Sequence, residues 1–151
     1  MSKVVQGMLG CTPKYINQPI ELVTLWVHEA RRVFKDRMIN EKDRVWFEAE
    51  LHQIVPKYFT HGVAATATAM QWLDLPGIDL VFYGDYIISG ADPKFYEHLK
   101  DMDKLSSIIN EYLEDYNVQS NAPMPLILFV DAMEHVSRIC RIIRQVSALL
   151  F

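Results

Sequence analysis

His28-Glu29 is the pair that would open a zinc-binding helix, in which a second histidine one turn on is the other ligand and the glutamate acts as general base. Position 32 is Arg, so the second ligand is missing, and the pair reads as polar residues flanking a buried stripe. His52, His61, His98 and His135 have no ligand spacing, and Cys11 and Cys140 are too far apart in sequence for a zinc knuckle. A phosphate site needs a loop of backbone N–H groups in the pattern GxxxxGK followed by Ser or Thr. Gly7, Gly10, Gly62, Gly77, Gly84 and Gly90 never form it. LILFVD, from Leu126 to Asp131, is an apolar run closed by a carboxylate, as in a strand that holds Mg²⁺ beside a nucleotide. Without a phosphate loop, and with a helical period running straight through it, that run reads as structural. Cys140 falls on the inner side of the same helix, as an inert core thiol. On its own residues the chain is not a catalyst.

The elements that would position these residues are helices. From Pro19 to Ile39 the apolar residues Leu22/Val23, Trp26/Val27, Ala30, Val33/Phe34 and Met38 recur every three to four positions, one stripe of an amphipathic helix. Thr24, His28, Arg31, Arg32, Lys35 and Asp36 fall mostly off the stripe and are expected in water. Pro19 suits the first turn, with Asn17 or Gln18 as cap. On this reading Trp26→Ala costs roughly 3–5 kcal/mol. A short helix over Met1–Gly10 precedes it. Asn40 caps a helix from Glu41 to about Ile54, with Asp43 in a loose capping box. Its expected face is Val45, Trp46/Phe47, Leu51 and Ile54/Val55, and Pro56 kinks or ends it.

The run Ala64–Met70 is a weak helix candidate, its threonines counting against it. Asp79–Ile88 reads as short and extended. Gly90-Ala91-Asp92-Pro93 opens a short helix over Lys94–Leu99. A longer helix covers Met102–Tyr116 through Leu105, Ile108/Ile109, Tyr112/Leu113 and Tyr116, with Glu111, Glu114 and Asp115 solvated. The proline-bearing stretch Asn117–Pro125 is the best boundary. A last helix over Leu126–Gln145 turns Phe129, Met133, Val136, Ile139/Cys140 and Ile143 inward. Val146–Phe151 is apolar and reads as cut short.

The 151 residues, half of them apolar, suffice for a real core. A net charge of −4 argues against a nucleic-acid binder. No apolar run approaches the roughly 18–20 residues of a membrane span, and the first residues do not form a signal peptide. Two cysteines in a domain of this size read as free thiols in a reducing compartment.

The order of five blocks is more informative than any one of them: SKVVQGML, LWVHEARRVFKDRMI, ADPKFYEHLKDMDKL, EYLEDYN and APMPLILFVDAMEHVSRICRIIRQ. Together they resemble a continuous segment of a dynein heavy chain, joining the third AAA+ module of the motor ring to the fourth. ADPKFY and YLEDYN look more like the axonemal, ciliary heavy chains than the cytoplasmic ones. The resemblance implies a mostly α fold with at most a short extended pair. Residues 1–117 would be the helical lid, 118–125 a linker, and 126–151 the first helix and truncated start of the next module. The lid's sensor arginine would lie just before Met1. The backbone of Leu126, Ile127 and Leu128 would lie beside adenine, and the following helix would pack on the core sheet. Where the family has a glycine turn, strand and phosphate loop, this chain continues from Gln145 into Val146–Phe151.

The resemblance implies a non-catalytic lid and inter-module connector of an ATP-driven microtubule motor in the cilium or flagellum. ATP or ADP would belong to the full-length protein, with no cofactor and no metal in this chain. Its partners would be the rest of the heavy chain and neighbouring AAA+ modules, with microtubules touched only through distant regions, and no nucleic acid or membrane. The packing residues expected to carry that role are Trp26, Val27, Phe34, Trp46, Phe47, Phe129 and Met133. The alternative is a free-standing helical adaptor that binds a partner through an exposed groove; an autonomous small-molecule enzyme ranks last.

Overall fold

The computed structural model describes residues 2–59, 81–88 and 90–147. The fold is mostly α, with one two-stranded antiparallel sheet among the described residues, as expected. The chain forms two compact units, Met1–Val81 and Phe82–Phe151. The Ala64–Met70 helix candidate lies outside the described residues.

The first unit is built from α1 (Lys3–Met8), α2 (Pro19–Val33) and α3 (Glu41–Tyr58). Pro19 opens α2, and the Glu21 carboxylate accepts from the Asn17 and Gln18 backbone N–H groups at 2.8 and 3.3 Å. Val23, Val27 and Ala30 of α2 interlock with Phe47, Leu51 and Val55 of α3. Each set recurs every three or four residues and so lies along one helix face. Trp26, Met38 and Phe59 close the rim of this core, Trp26 and Phe59 with ring centroids 4.9 Å apart.

α2 is buried on more than that stripe. Leu25 and Glu29, on the opposite side, are wholly inaccessible, and Thr24, His28 and Arg31 are buried as well. Gly7 brings α1 onto this second face: a Cβ on it would fall 1.7 Å from the Glu29 Oε2. The expectation of wet polar residues is therefore corrected for Thr24, His28 and Arg31, while Asp36 is exposed and Arg32 and Lys35 are partly so. Packing from both sides encloses the buried three because each meets a partner, the condition for burying a polar group cheaply. Conversely, Phe34 and Trp46 stay more than half exposed, and Val45 lies outside. α2 also stops at Val33, short of Ile39; a 3-10 turn over Lys35–Arg37 follows and returns Met38 to the core.

Asn40 caps α3 as expected, its Oδ1 accepting from the Asp43 N–H at 2.8 Å. The Asp43 carboxylate accepts from the Asn40 side-chain amide, a variant of the usual box. Pro56 stays inside the last turn, and the helix ends two residues later at Tyr58.

In the second unit β1 (Phe82–Gly84) pairs with β2 (Glu97–Leu99), with Phe82 opposite Leu99 and Tyr83 opposite His98. The helix expected over Lys94–Leu99 is thus absent: Lys94 to Tyr96 is irregular and Glu97–Leu99 is a strand. β1 offers this segment a ladder partner and a cross-strand aromatic pair. Tyr83 and His98 stack with ring centroids 4.9 Å apart and planes 10° from parallel.

Phe82 and Leu99 project the other way, into a core completed by Tyr86, by Leu105 and Ile109 of α4 (Met102–Gln119), and by Met133 of α5 (Val130–Ser147). Asp101 caps α4 by accepting from the Lys104 N–H at 2.9 Å. Asn117 pins the connection to α5, accepting from the Met124 N–H at 2.7 Å and donating to the Met124 carbonyl at 3.1 Å. Val118 and Gln119 thus still belong to α4, and residues 120–129 join it to α5 within one unit. Residues 126–129 are not helical, against expectation, and α5 begins at Val130. Leu128 alone of the four packs on the core, which ties this segment down at a single point.

Candidate functional site

The three residues expected beside adenine lie on one non-helical segment. Leu126 and Ile127 are exposed, Ile127 at 89 %, and the Leu126 N–H turns back to the Met124 carbonyl at 2.9 Å. Asp131 follows in the first turn of α5, exposed, where its charge favours the helix N-terminus. The carboxylate of LILFVD thus sits on a helix, not at a strand end. Beyond Leu126–Leu128, α5 presents Ile139, Ile142 and Ile143 to the outside, each more than half exposed, while Met133, Ser137 and Arg141 take the buried positions. Ile139, Ile143 and Phe129, expected inside, are thus outside. A period of 3.6 locates a stripe without saying which neighbour covers it.

Two polar clusters escaped the sequence reading. In the first unit the half-buried Glu48 of α3 accepts from buried Arg31 of α2 in a fork, Nε to Oε1 at 3.0 Å and Nη2 to Oε2 at 2.7 Å. Lys35 Nζ adds a third bond to Oε1 at 2.7 Å. Burial alone would raise the Glu48 pKa, but hydrogen bonds from and proximity to these two cations hold it below the usual carboxylate value. His28 does not meet a metal ligand; its Nδ1 lies 3.0 Å from the Val81 carbonyl, and its Nε2 is 4.0 Å from Glu29 Oε1. Only the spacing of Arg31 in α2 and Lys35 in the turn after it, four residues apart, hinted at a shared anion.

In the second unit Tyr86 Oη bonds Ser137 Oγ, which itself donates to the Met133 carbonyl at 2.8 Å. Burial, only partly offset by this bond, pushes the Tyr86 pKa up to about 12. Burial also raises the Cys140 thiol, and nearby Asp85 adds to the shift. That favours the neutral, unreactive thiol. Asp85 takes an ion pair from Arg144 at 3.0 Å, and the Arg144 guanidinium lies 5.5 Å from the centre of the Tyr96 ring. These groups are consumed in packing. No His, Cys, Asp and Glu cluster able to hold a metal occurs among the described residues.

A shallow cleft of about 90 Å³ in the second unit is lined by Ile87, Ile108, Glu111, Tyr112 and Asp115. It is well below the roughly 300–1,000 Å³ of a small-molecule site. The geometry thus offers surfaces rather than a reaction centre: an outward aromatic face on the first unit, and the Leu126–Phe129 segment with the isoleucine stripe of α5 on the second.

The AAA+ lid domain family matches residues 1–64, which span α1 to α3. The chain is 40% identical over 145 residues to dynein axonemal heavy chain 1 of Mus musculus, covering 96% of this chain and 3% of that protein. It is 39% identical over 147 residues to dynein axonemal heavy chain 6 of Homo sapiens, covering 96% of this chain and 3% of the relative. Against the dynein beta chain of the flagellar outer arm of Chlamydomonas reinhardtii it is 34% identical over 143 residues, covering 95% of this chain and 3% of the relative. The chain therefore spans a small fraction of the length of the relatives it matches.

Proposed function

Because the chain belongs to the dynein heavy chain family and carries an AAA+ lid segment, we propose that it acts as a mechanical lid and inter-module connector of a dynein motor ring, without chemistry of its own. The observation that carries this reading is the coincidence of the lid match, residues 1–64, with the packed helices α1–α3, whose outer face keeps Phe34, Val45 and Trp46 uncovered. Such a face suits a body that docks on a neighbouring module and moves with it as nucleotide states change. On this proposal residues 1–117 belong to the lid and 118–125 to the linker. Residues 126–151 begin the next module, with the Leu126–Leu128 backbone beside adenine and the outer isoleucines of α5 against that module's core sheet.

ATP or ADP, and the microtubule, would then be engaged by other parts of a heavy chain, with this segment in the axoneme of a cilium or flagellum. The relatives favour this reading over a free-standing adaptor. Labelled ATP titrated into the 151-residue chain tests it. The expected result is no saturable binding in the micromolar range and no hydrolysis, and either one would remove the proposal. In a longer heavy-chain piece that includes the adjoining modules, Trp46 should become shielded from acrylamide quenching. Unchanged quenching would count against docking through this face.

A further inference from the structure

We infer that the outer face of α5 is a self-association surface, covered by the same face of a second copy of this chain. The inference does not rest on the ring reading. α5 is turned against the usual rule for a helix that faces water. Ser137 and Arg141 take buried positions beside Met133, while Ile139, Ile142 and Ile143 lie on the opposite side, each more than half exposed. The segment leading into the helix adds Leu126, Ile127 and Phe129, also more than half exposed. Apolar surface concentrated in this way on one element marks an interaction site.

Area, spacing and charge choose the occupant. At about 150–200 Å² for each large apolar side chain, those six residues leave roughly 600–700 Å² of apolar surface uncovered per copy. With the polar groups among them this comes to about the 800 Å² that each partner gives to a stable complex. Ala132, His135, Ile139 and Ile142 recur at intervals of three, four and three, the seam spacing that lets a helix pack along another like itself. Asp131 and Glu134 stand in the N-terminal half of α5, and Arg138, Arg141 and Arg144 in the C-terminal half. An antiparallel pair sets each acidic half beside the partner's basic half, whereas a parallel pair would align like charges and place the two His135 side chains together. The pairing is therefore antiparallel. Residues 126–145 carry two acids against three bases in a chain of net charge −4, so two copies meet where their repulsion is weakest. In a motor ring the next module would take this same face, so ring assembly and self-association exclude each other.

Sedimentation velocity of the 151-residue chain over a series of concentrations tests the assignment. A reversible monomer–dimer equilibrium with a Kd in the micromolar range is expected, the weak end for an interface of this area. The double variant Ile139→Gln/Ile142→Gln replaces exposed side chains with a good helix former. It should weaken the dimer by at least about tenfold, while the melting curve of the dilute monomer stays that of the wild type. Asp131→Asn should weaken it about two- to tenfold, since an attraction across the antiparallel pair is lost; in a parallel pair the same change would relieve a repulsion and tighten it. Trp46→Ala, in the first unit, should leave the Kd unchanged. The inference is overturned if the wild type stays monomeric to near-millimolar concentration, or if association runs on past the dimer. It is equally overturned if the isoleucine variant associates like the wild type, if Asp131→Asn tightens the dimer, or if Trp46→Ala abolishes it. ATP binding, which tests the ring reading, is a separate measurement and stands or falls apart from these.

Discussion

Replacing Glu48 by Gln keeps the size of the side chain and removes the anion that Arg31 and Lys35 share. Arg31 is the more deeply buried partner, its side chain 5 % exposed against 20 % for Glu48. Removing one member of a fully buried pair costs about 3–5 kcal/mol, because the other charge is stranded. Here water reaches part of Glu48, and an amide oxygen can still accept one bond, so the loss should be smaller, about 2–3 kcal/mol. For a chain of this size that is roughly 4–12 °C in Tm. Urea unfolding followed by tryptophan fluorescence reads the first unit, since all three tryptophans, Trp26, Trp46 and Trp72, fall within Met1–Val81. A double-mutant cycle with Arg31→Met separates the pair's coupling from the packing of each side chain.

The pH dependence provides an independent check. Glu48 is held below its usual value of 4.5 in the folded chain, so the folded state binds fewer protons than the unfolded one as pH falls toward that value. Its stabilisation is complete above the unfolded pKa and is lost as pH drops through the folded one. The gap between wild type and Glu48→Gln should therefore be widest near neutrality and shrink below about pH 4.5. A difference under about 0.5 kcal/mol at pH 7, or one that widens on acidification, would refute this account of the α2–α3 contact.

Three further outcomes follow from the packing. Gly7→Ala should destabilise by about 1–3 kcal/mol in thermal melts, because the new methyl overlaps the wholly buried Glu29 carboxylate, although a helical Gly→Ala change is otherwise favourable. Trp26→Ala should cost about 2–3 kcal/mol, below the range for a fully buried tryptophan, and Trp46→Ala under about 0.5 kcal/mol, since only the first packs on the α2–α3 core; denaturant midpoints rank the two. Tyr86→Phe should lose about 1 kcal/mol with the bond to Ser137. In the wild type the phenolate absorbance of Tyr86 should not rise until about pH 12 while the fold survives.

Local features of the sequence were legible one by one. Asn40 with Asp43 marks the start of α3, and Pro19 that of α2. The three-to-four spacing of Val23, Val27, Ala30, Phe47, Leu51 and Val55 locates the core of the first unit. Ile108 and Tyr112 were read on the right helix, but not as walls of a cleft, since Ile87 reaches them only through the fold.

The amino-acid sequence alone determined the helical class, the starts of α2, α3 and α4 and the kinship with axonemal heavy chains, because caps, periodicity and block order are properties of neighbouring residues. The tertiary structure decided which polar side chains are buried, that Lys94–Leu99 ends in a strand, and which aromatics face out. Arg31 of α2 is buried against Glu48, which α3 brings to it, and β2 pairs with β1, which lies alongside. Partners far away in the chain set those outcomes, and no local window contains them.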